Sequence, residues 1–292
     1  ESRGLGDVYK RQISTLTPEE QHYQAIALGG ITNGATNYEM TAAYAAIANY
    51  GVYNEPKLYT KVLDHDGNIL IDNTASASHR VIKESTAWLL DSALRSVVTD
   101  NITFLDSKNM YYAGKSGTSQ LNTDKWFIGF SPYYTAGVWI GNDDSTPVNT
   151  NYYTMPQLNI WKDIMEHAHE GLEYTEFQKP YNIVEAEVCA SSGKLAIPGL
   201  CDSDPRGSQV IKEYFEDGTV PTEVCDVHIQ VTMCKDSNKI ATDSCPPESR
   251  FKAVYIKKDL SLIPNIDQYI VTDLGYVITP DKLNDECDIH SH

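Results

Sequence analysis

Along the first 175 residues the apolar positions switch between a period near 3.6 and a period of 2, and each stretch marks an element. Met40, Ala43, Tyr44 and Ile47 recur at helical spacing, with Asn37 placed to cap the helix and Gly51 to stop it. Tyr59 to Asp72 alternates around Asp66-Gly67, a dipeptide that favours a hairpin turn. Ser85 to Thr99 carries Trp88, Leu89, Ala93 and Val97 on one helical face. Gln157 to Gly171 is a further amphipathic helix with Ile160, Trp161, Ile164 and Met165. Core packing is the role expected of these Trp, Met and Tyr side chains.

Between the second and third helices the period becomes that of strands. Met110 to Ala113 is an apolar, aromatic run. Asp124 to Pro132 and Tyr134 to Asp143 are short apolar runs bounded by turn residues, with Ser131-Pro132 as a tight connection. The pattern predicts three successive antiparallel strands. The first leads into Lys115-Ser116-Gly117, which fits the Lys-[Ser/Thr]-Gly element of serine acyl-transferases. That element supplies a cation, hydroxyls and free backbone beside a nucleophile. Gly114 and Gly117 bracket the lysine, and glycine inside a strand marks a close approach of ligand or backbone.

A longer set of motifs gives the tripeptide its context. Ala113-Gly114-Lys115-Ser116-Gly117-Thr118-Ser119, Trp126-Phe127-Ile128-Gly129-Phe130 and Gly137-Val138-Trp139-Ile140-Gly141-Asn142-Asp143 follow in order. Upstream lie Ala27-Leu28-Gly29-Gly30-Ile31-Thr32-Asn33-Gly34 and Glu39-Met40-Thr41-Ala42-Ala43-Tyr44-Ala45. Together they resemble the C-terminal half of the transpeptidase domain of class A penicillin-binding proteins, over roughly residues 20–175. The resemblance implies an α/β (α+β) fold: an antiparallel sheet flanked by helices, part of the penicillin-binding-protein/β-lactamase-like transpeptidase fold. It implies a parent protein that is a D,D-transpeptidase, cross-linking peptidoglycan stem peptides ending in D-Ala-D-Ala through an acyl-serine. Nascent or lipid-linked glycan strands are then the parent's partners and β-lactams its inhibitors. No cofactor is implied. A glycosyltransferase domain and a membrane anchor belong to the class, which gives an extracytoplasmic address.

Carried onto this sequence, the resemblance makes Lys115, Ser116, Gly117 and Thr118 the catalytic set and Ser116, Thr118 and Ser119 the substrate-binding set. Lys115 would tune the local field and hold the serine's proton relay. The Ser116 and Thr118 hydroxyls would bind the terminal carboxylate. The Thr118 N–H would be one of two oxyanion donors, a kind of group whose removal costs about 100- to 1,000-fold in rate. The family's nucleophile stands in Ser-x-x-Lys, and none precedes Lys115. Ser191-Ser192-Gly193-Lys194 and Ser249-Arg250-Phe251-Lys252 come after it and read as coincidence. Ser107-Lys108-Asn109 matches the family's Ser-x-Asn in composition, but its place just before the Lys115 strand reads as a turn. The chain is therefore expected to be inactive alone. A serine β-lactamase-like hydrolase and a non-catalytic wall-binding module are the alternatives.

Composition separates the remainder. Residues 1–12 have no apolar period, and Asp7 to Gln12 looks like a translated sequencing adapter, so the natural sequence is expected to begin near Ile13. A formal charge of −17 argues against nucleic acid as a partner. All six cysteines fall between Cys189 and Cys287, which predicts a transpeptidase part at 13–178 and a small β-rich tail at 179–292. The tail contains an imperfect repeat, at about 185–228 and 230–290. Cys189…Lys194-Leu-Ala196…Cys201 echoes Cys234…Lys239-Ile-Ala241…Cys245, and the units end in Cys225-Asp226-Val227-His228 and Cys287-Asp288-Ile289-His290. Val227 to Met233 alternates like a strand. An extracytoplasmic address favours disulfides, and Cys201–Cys225, Cys245–Cys287 and Cys189–Cys234 would satisfy the repeat, although six cysteines allow 15 pairings. Metal is not the expectation, and His228 and His290 read as exposed turn residues. The sharper rival is a three-cysteine, one-histidine zinc set in each unit.

Overall fold

The computed structural model describes residues 13–15, 29–148, 155–258 and 275–290. Residues 1–12, Ala27 and Leu28, on which two of the expectations fall, lie outside these ranges. The chain divides after Asn182 into two units.

In the first unit, helix α1 spans Asn37–Ala48. Thr36 is its N-cap: the Thr36 side chain accepts from the Glu39 N–H while Glu39 reaches back, a complete capping box. Asn37, the cap anticipated from sequence, is instead the first helical residue, and its side chain donates to the Gly137 carbonyl at 2.9 Å. The helix stops as Tyr50 (φ 52°) and Gly51 (φ 82°) turn left-handed. The Gly51 N–H closes on the Ala46 carbonyl at 2.8 Å. A Cβ on Gly51 would sit 2.3 Å from the Ile82 carbonyl oxygen, so the stop is fixed by packing as well as by φ.

After α1 come β1 (Val52–Asn54), β2 (Lys61–Leu63), β3 (Ile69–Asp72) and β4 (Ser78–Arg80). β4 returns to pair with β1, and β2 and β3 form the hairpin around Gly67, whose φ of 85° the turn requires. Helix α2 (Glu84–Ser96) follows and widens into a π-helical turn at Val97–Asn101. Its buried positions are Ser85, Ala87, Asp91 and Leu94. Ala93, assigned to the core face from sequence, is exposed. The apolar residues were placed in the right helix but on a face rotated from the true one, because the buried stripe carries a carboxylate.

The central sheet is β5 (Ala113–Thr118), β6 (Asp124–Phe130) and β7 (Thr135–Gly141), antiparallel in chain order. Helix α3 (Pro156–Ala168) packs on it through Leu158, Trp161 and Met165. Ile160 and Ile164, expected beside them, are about half exposed. The core holds Val98, Ile102, Leu105, Met110, Tyr112, Phe127, Leu158, Trp161 and Met165. Trp161 stands edge-on to Tyr112 and Phe127, and its indole N–H donates to the Ala136 carbonyl at 2.9 Å. Among the described residues no helix is long and apolar enough to cross a membrane.

The second unit is built from β8 (Ile183–Cys189) paired with β9 (Val210–Glu216), and from β10 (His228–Cys234), β11 (Arg250–Lys257) and β12 (Val277–Ile278). β12 runs parallel to β11. A short helix, α4 (Pro280–Leu283), follows. The sequence repeat is also a structural one. Leu195 bridges antiparallel to Val188 and parallel to Val224; Ile240 does the same with Met233 and Glu286. The Cys189 N–H donates to Lys194, and the Cys234 N–H to Lys239, each at 2.8 Å.

Candidate active site

Lys115, Ser116, Gly117 and Thr118 all lie on β5. The strand can run so close to β6 because Gly114 faces Gly129 across the ladder. A Cβ on Gly114 would meet Phe127 Cζ at 2.7 Å, the Ile128 carbonyl oxygen at 2.8 Å and Gly129 Cα at 2.9 Å. Gly117 differs: the nearest atom to its virtual Cβ is Trp126 Cβ at 3.5 Å. Gly114 is thus a packing glycine, and Gly117 leaves open backbone beside which an extended peptide can lie.

The Lys115 ammonium donates to the Ser116 carbonyl at 2.8 Å and is otherwise exposed. Ser116 is half-buried and Thr118 exposed, so both hydroxyls are accessible. Residues two apart on a strand share a face, which puts Ser116 and Thr118 together and Lys115 with Gly117. The fifth candidate, Ser119, is placed differently. Its hydroxyl accepts from the Asp124 N–H at 2.8 Å and lies 2.6 Å from the Thr123 hydroxyl. Asp124 in turn accepts from the Trp139 indole at 2.9 Å. Ser119 therefore pins the β5–β6 connection. That connection holds Leu121 and Asn122 at φ 62° and 57°, and Leu121 there is 79% exposed. A left-handed leucine costs of order 1–2 kcal/mol, so its surroundings must impose it.

Sequence reasoning passed over two features close to these strands. Lys125 is the cross-strand partner of Thr118 and is buried, with no ion pair among the described residues. A cross-strand pair shares a face, so the Lys125 side chain lies on the same side of the sheet as that of Thr118. Ser131 and His169 form a buried pair at 2.7 Å. The Ser131 hydroxyl oxygen accepts from the Tyr133 and Tyr134 N–H groups, so its proton goes to His169 Nε2. His169 Nδ1 then donates to the Met165 carbonyl at 2.6 Å. Ringed by Tyr112, Tyr133 and Tyr134, this pair anchors α3 to the sheet and is closed to substrate.

Two of the motifs that resemble the family's elements elsewhere are accounted for structurally. Asn109 N–H donates to the Ser107 hydroxyl within a loop, as a turn does. Lys194 of Ser191-x-x-Lys194 is clamped by Asp226 and Glu223, each at 2.7 Å, which holds its amine charged and unfit to act as a base.

A different concentration of reactive side chains lies in the second unit. All six cysteines are free and buried. Cys189, Cys201, Cys225 and His228 bring their ligand atoms within 4.8 Å of one another, as do Cys234, Cys245, Cys287 and His290. The anticipated pairings Cys201–Cys225, Cys245–Cys287 and Cys189–Cys234 are not formed. The last is geometrically excluded: its two clusters take His228 and Cys234 from opposite ends of β10, about 20 Å apart at strand rise, whereas a disulfide needs Cα atoms within about 7 Å. His228 is no exposed turn residue either. It is 2% exposed, with Nδ1 3.4 Å from both Cys189 and Cys225 and Nε2 2.7 Å from Asp204. Arg206 grips that carboxylate and, with His228, holds it well below the usual range. Burial alone would raise the Cys225 thiol, but donors from Ser192, His228 and Val227 bring it down to about 6. Cys287 also falls to about 6, chiefly through the Ser237 hydroxyl.

Comparison with known proteins agrees with the β5–β7 motifs. The penicillin binding protein transpeptidase domain family matches residues 7–166, and the penicillin-binding protein 1A C-terminal domain family matches residues 179–230. Penicillin-binding protein 1A of Clostridium botulinum (strain Langeland) is 36% identical over 250 residues, 84% of this chain and 30% of the relative. That of Clostridium novyi is 33% identical over 275 residues, 92% of this chain and 30% of the relative. The chain thus spans about a third of the length of these relatives. Among solved structures, penicillin-binding protein 1A from Haemophilus influenzae aligns with a TM-score of 0.57 at 23% identity, covering 69% of this chain and 34% of that one. PonA1 from Mycobacterium tuberculosis aligns at 0.52 and 22%, covering 59% and 51%. At these identities the structures speak for the fold alone. With the family match extending over more than half of the residues, this chain belongs to the penicillin-binding protein transpeptidase family.

Proposed function

We propose that this chain supplies the Lys-Ser-Gly wall of a D,D-transpeptidase site that cross-links peptidoglycan stem peptides through an acyl-serine, the nucleophile residing in a longer parent protein. The observation that carries the reading is β5 itself: Lys115, Ser116 and Thr118 accessible in a row, with open space at Gly117. A peptide laid along this strand meets backbone N–H and C=O groups, as in strand addition generally. Its terminal carboxylate finds the Ser116 and Thr118 hydroxyls, with Lys125 on the same face of the sheet. The Thr118 N–H serves as one donor to the oxyanion of the tetrahedral intermediate. Lys115 keeps the field positive where that charge develops. β-Lactams fit the same reading as substrate mimics that acylate and do not leave. The address that follows is extracytoplasmic, with anchoring through the parent.

Labelling by a fluorescent penicillin tests it. Residues 1–292 should give no covalent adduct, because no Ser-x-x-Lys precedes Lys115; stoichiometric labelling would overturn the assignment of the nucleophile to another segment. In the parent protein, Lys115→Ala should slow acylation by about 100-fold or more and leave thermal stability unchanged, since the side chain packs against little. Unaltered acylation would remove β5 from the site.

A further inference from the structure

We propose that residues 183–292 bind two structural zinc ions, one on Cys189, Cys201, Cys225 and His228 and the other on Cys234, Cys245, Cys287 and His290. The inference stands apart from the transpeptidase reading, because none of these residues lies in the first unit.

The first support is distance. Tetrahedral zinc with Zn–S near 2.3 Å and Zn–N near 2.0–2.1 Å has a ligand S···N edge of about 3.5–3.6 Å. His228 Nδ1 lies 3.4 Å from Cys189 Sγ and 3.4 Å from Cys225 Sγ. His290 Nδ1 lies 3.5 Å from Cys234 Sγ and 3.4 Å from Cys287 Sγ. Four donors this close suit one ion and leave no room for the bridging atoms of a multi-iron cluster. Three thiolates and an imidazole on four corners are a closed, soft donor set, which selects zinc and points to structure rather than catalysis.

The second support is the outer layer. A metal-bound histidine usually donates its other nitrogen to a carboxylate, which fixes its tautomer. His228 Nε2 meets Asp204 at 2.7 Å, and His290 Nε2 meets Asp236 at 3.3 Å. In both clusters, then, Nδ1 is the nitrogen aimed at the sulfurs. The middle cysteine is held alike in each: the Ile197 N–H donates to Cys201 Sγ at 3.3 Å and the Thr242 N–H to Cys245 Sγ at 3.4 Å. Asp204 and Asp236 occupy different places in their repeats, so the two carboxylates reach the same position by separate routes. Three buried thiols per cluster also rule out full pairing within a cluster, because one would always be left over.

Each ion would tie three distant segments of a small β module. For the first these are the end of β8, the turn at Cys201 and the Cys225–His228 stretch. Such modules bury little core, so the metal would carry much of their folding energy.

The test uses the whole 292-residue chain, purified without chelator. Elemental analysis should give two zinc ions per chain, falling to one in Cys225→Ser and in Cys287→Ser. The six thiols of the native protein should resist a chromogenic thiol reagent until chelator is added. Cobalt in place of zinc should show the visible ligand-field bands of a tetrahedral thiolate site. Asp204→Asn should weaken zinc binding at the first site by about 10- to 100-fold, read by chelator competition. Absence of zinc with six freely titrating thiols, or mass-mapped disulfides, would overturn the proposal. One zinc ion lost in Cys225→Ser and kept in Cys287→Ser would uphold the first site and overturn the second. The wild-type metal and thiol measurements stand even if a variant fails to fold.

Discussion

Two glycines three residues apart illustrate how residue type and residue role separate. Gly114 and Gly117 look equivalent in the sequence, each flanking the Lys115-Ser116 dipeptide. In the structure Gly114 has backbone and ring atoms within 3 Å of any Cβ, while Gly117 has none inside 3.5 Å. Gly114→Ala should therefore destabilise the fold by about 1–3 kcal/mol, the usual penalty of overpacking, and lower the denaturant midpoint. Gly117→Ala should leave the midpoint nearly unchanged and still cut acylation in the parent protein, because it fills the space a substrate would use. If both variants unfold alike, the open face at Gly117 is not real. Lys115, Ser116 and Thr118 were legible as a motif because tripeptide identity and strand pattern coincide there. Lys125 was not: its meaning comes from being opposite Thr118, and register across a ladder cannot be read from one strand. Ser119 shows the reverse case. Its neighbours suggested substrate, but the hydroxyl is consumed by the turn it closes.

At the level of elements, helix α2 holds the clearest electrostatic consequence. Asp91 lies in its buried face, takes the Tyr111 hydroxyl at 3.1 Å on one oxygen, and has no partner for the other among the described residues. Burial raises its carboxyl to about 7, against the Tyr111 hydrogen bond and the nearby Arg95 charge, which lower it. A raised carboxylate means that the folded state holds a proton the unfolded chain has lost. Between about pH 4 and pH 7 this group therefore makes stability fall as pH rises. The effect is on the order of 4 kcal/mol at most, at about 1.4 kcal/mol per unit. Asp91→Asn should flatten that slope and stabilise the protein at pH 8, measured as the difference in unfolding free energy between pH 5 and pH 8. A slope identical to wild type would show the carboxylate to be ionised throughout. Asp204 has the opposite sign: its lowered value costs stability only as pH drops below about 4. The start of α1 gives a simpler expectation. Thr36→Ala removes the side-chain half of the capping box, the acceptor for the Glu39 N–H, and should cost about 0.5–2 kcal/mol by thermal or denaturant unfolding. The cap was misplaced by one residue in the sequence reading because Thr36 and Asn37 are both good caps; only the Gly137 carbonyl, a hundred residues away, draws Asn37 inward.

For the whole molecule, the uneven distribution of cysteine becomes a prediction about cooperativity. The first unit contains none, so removing metal or blocking thiols should leave its stability intact. Chelator at neutral pH should raise hydrogen exchange and proteolysis within 183–292 and leave protection of β5–β7 and α3 as it was. Unchanged protection within 183–292 would show that the second unit's order does not depend on its own thiol clusters. The sequence by itself determined the helices, the three-strand sheet, the Lys-Ser-Gly motif and the existence of a cysteine repeat. These rest on local periodicity and residue identity, which one chain displays directly. The tertiary structure alone decided which face of each helix is buried, which glycine is packed and which is open, and which cysteines share a centre. Those are facts about distance between residues far apart in sequence. Six thiols on a line admit many pairings, but only the fold brings three of them to one histidine twice over.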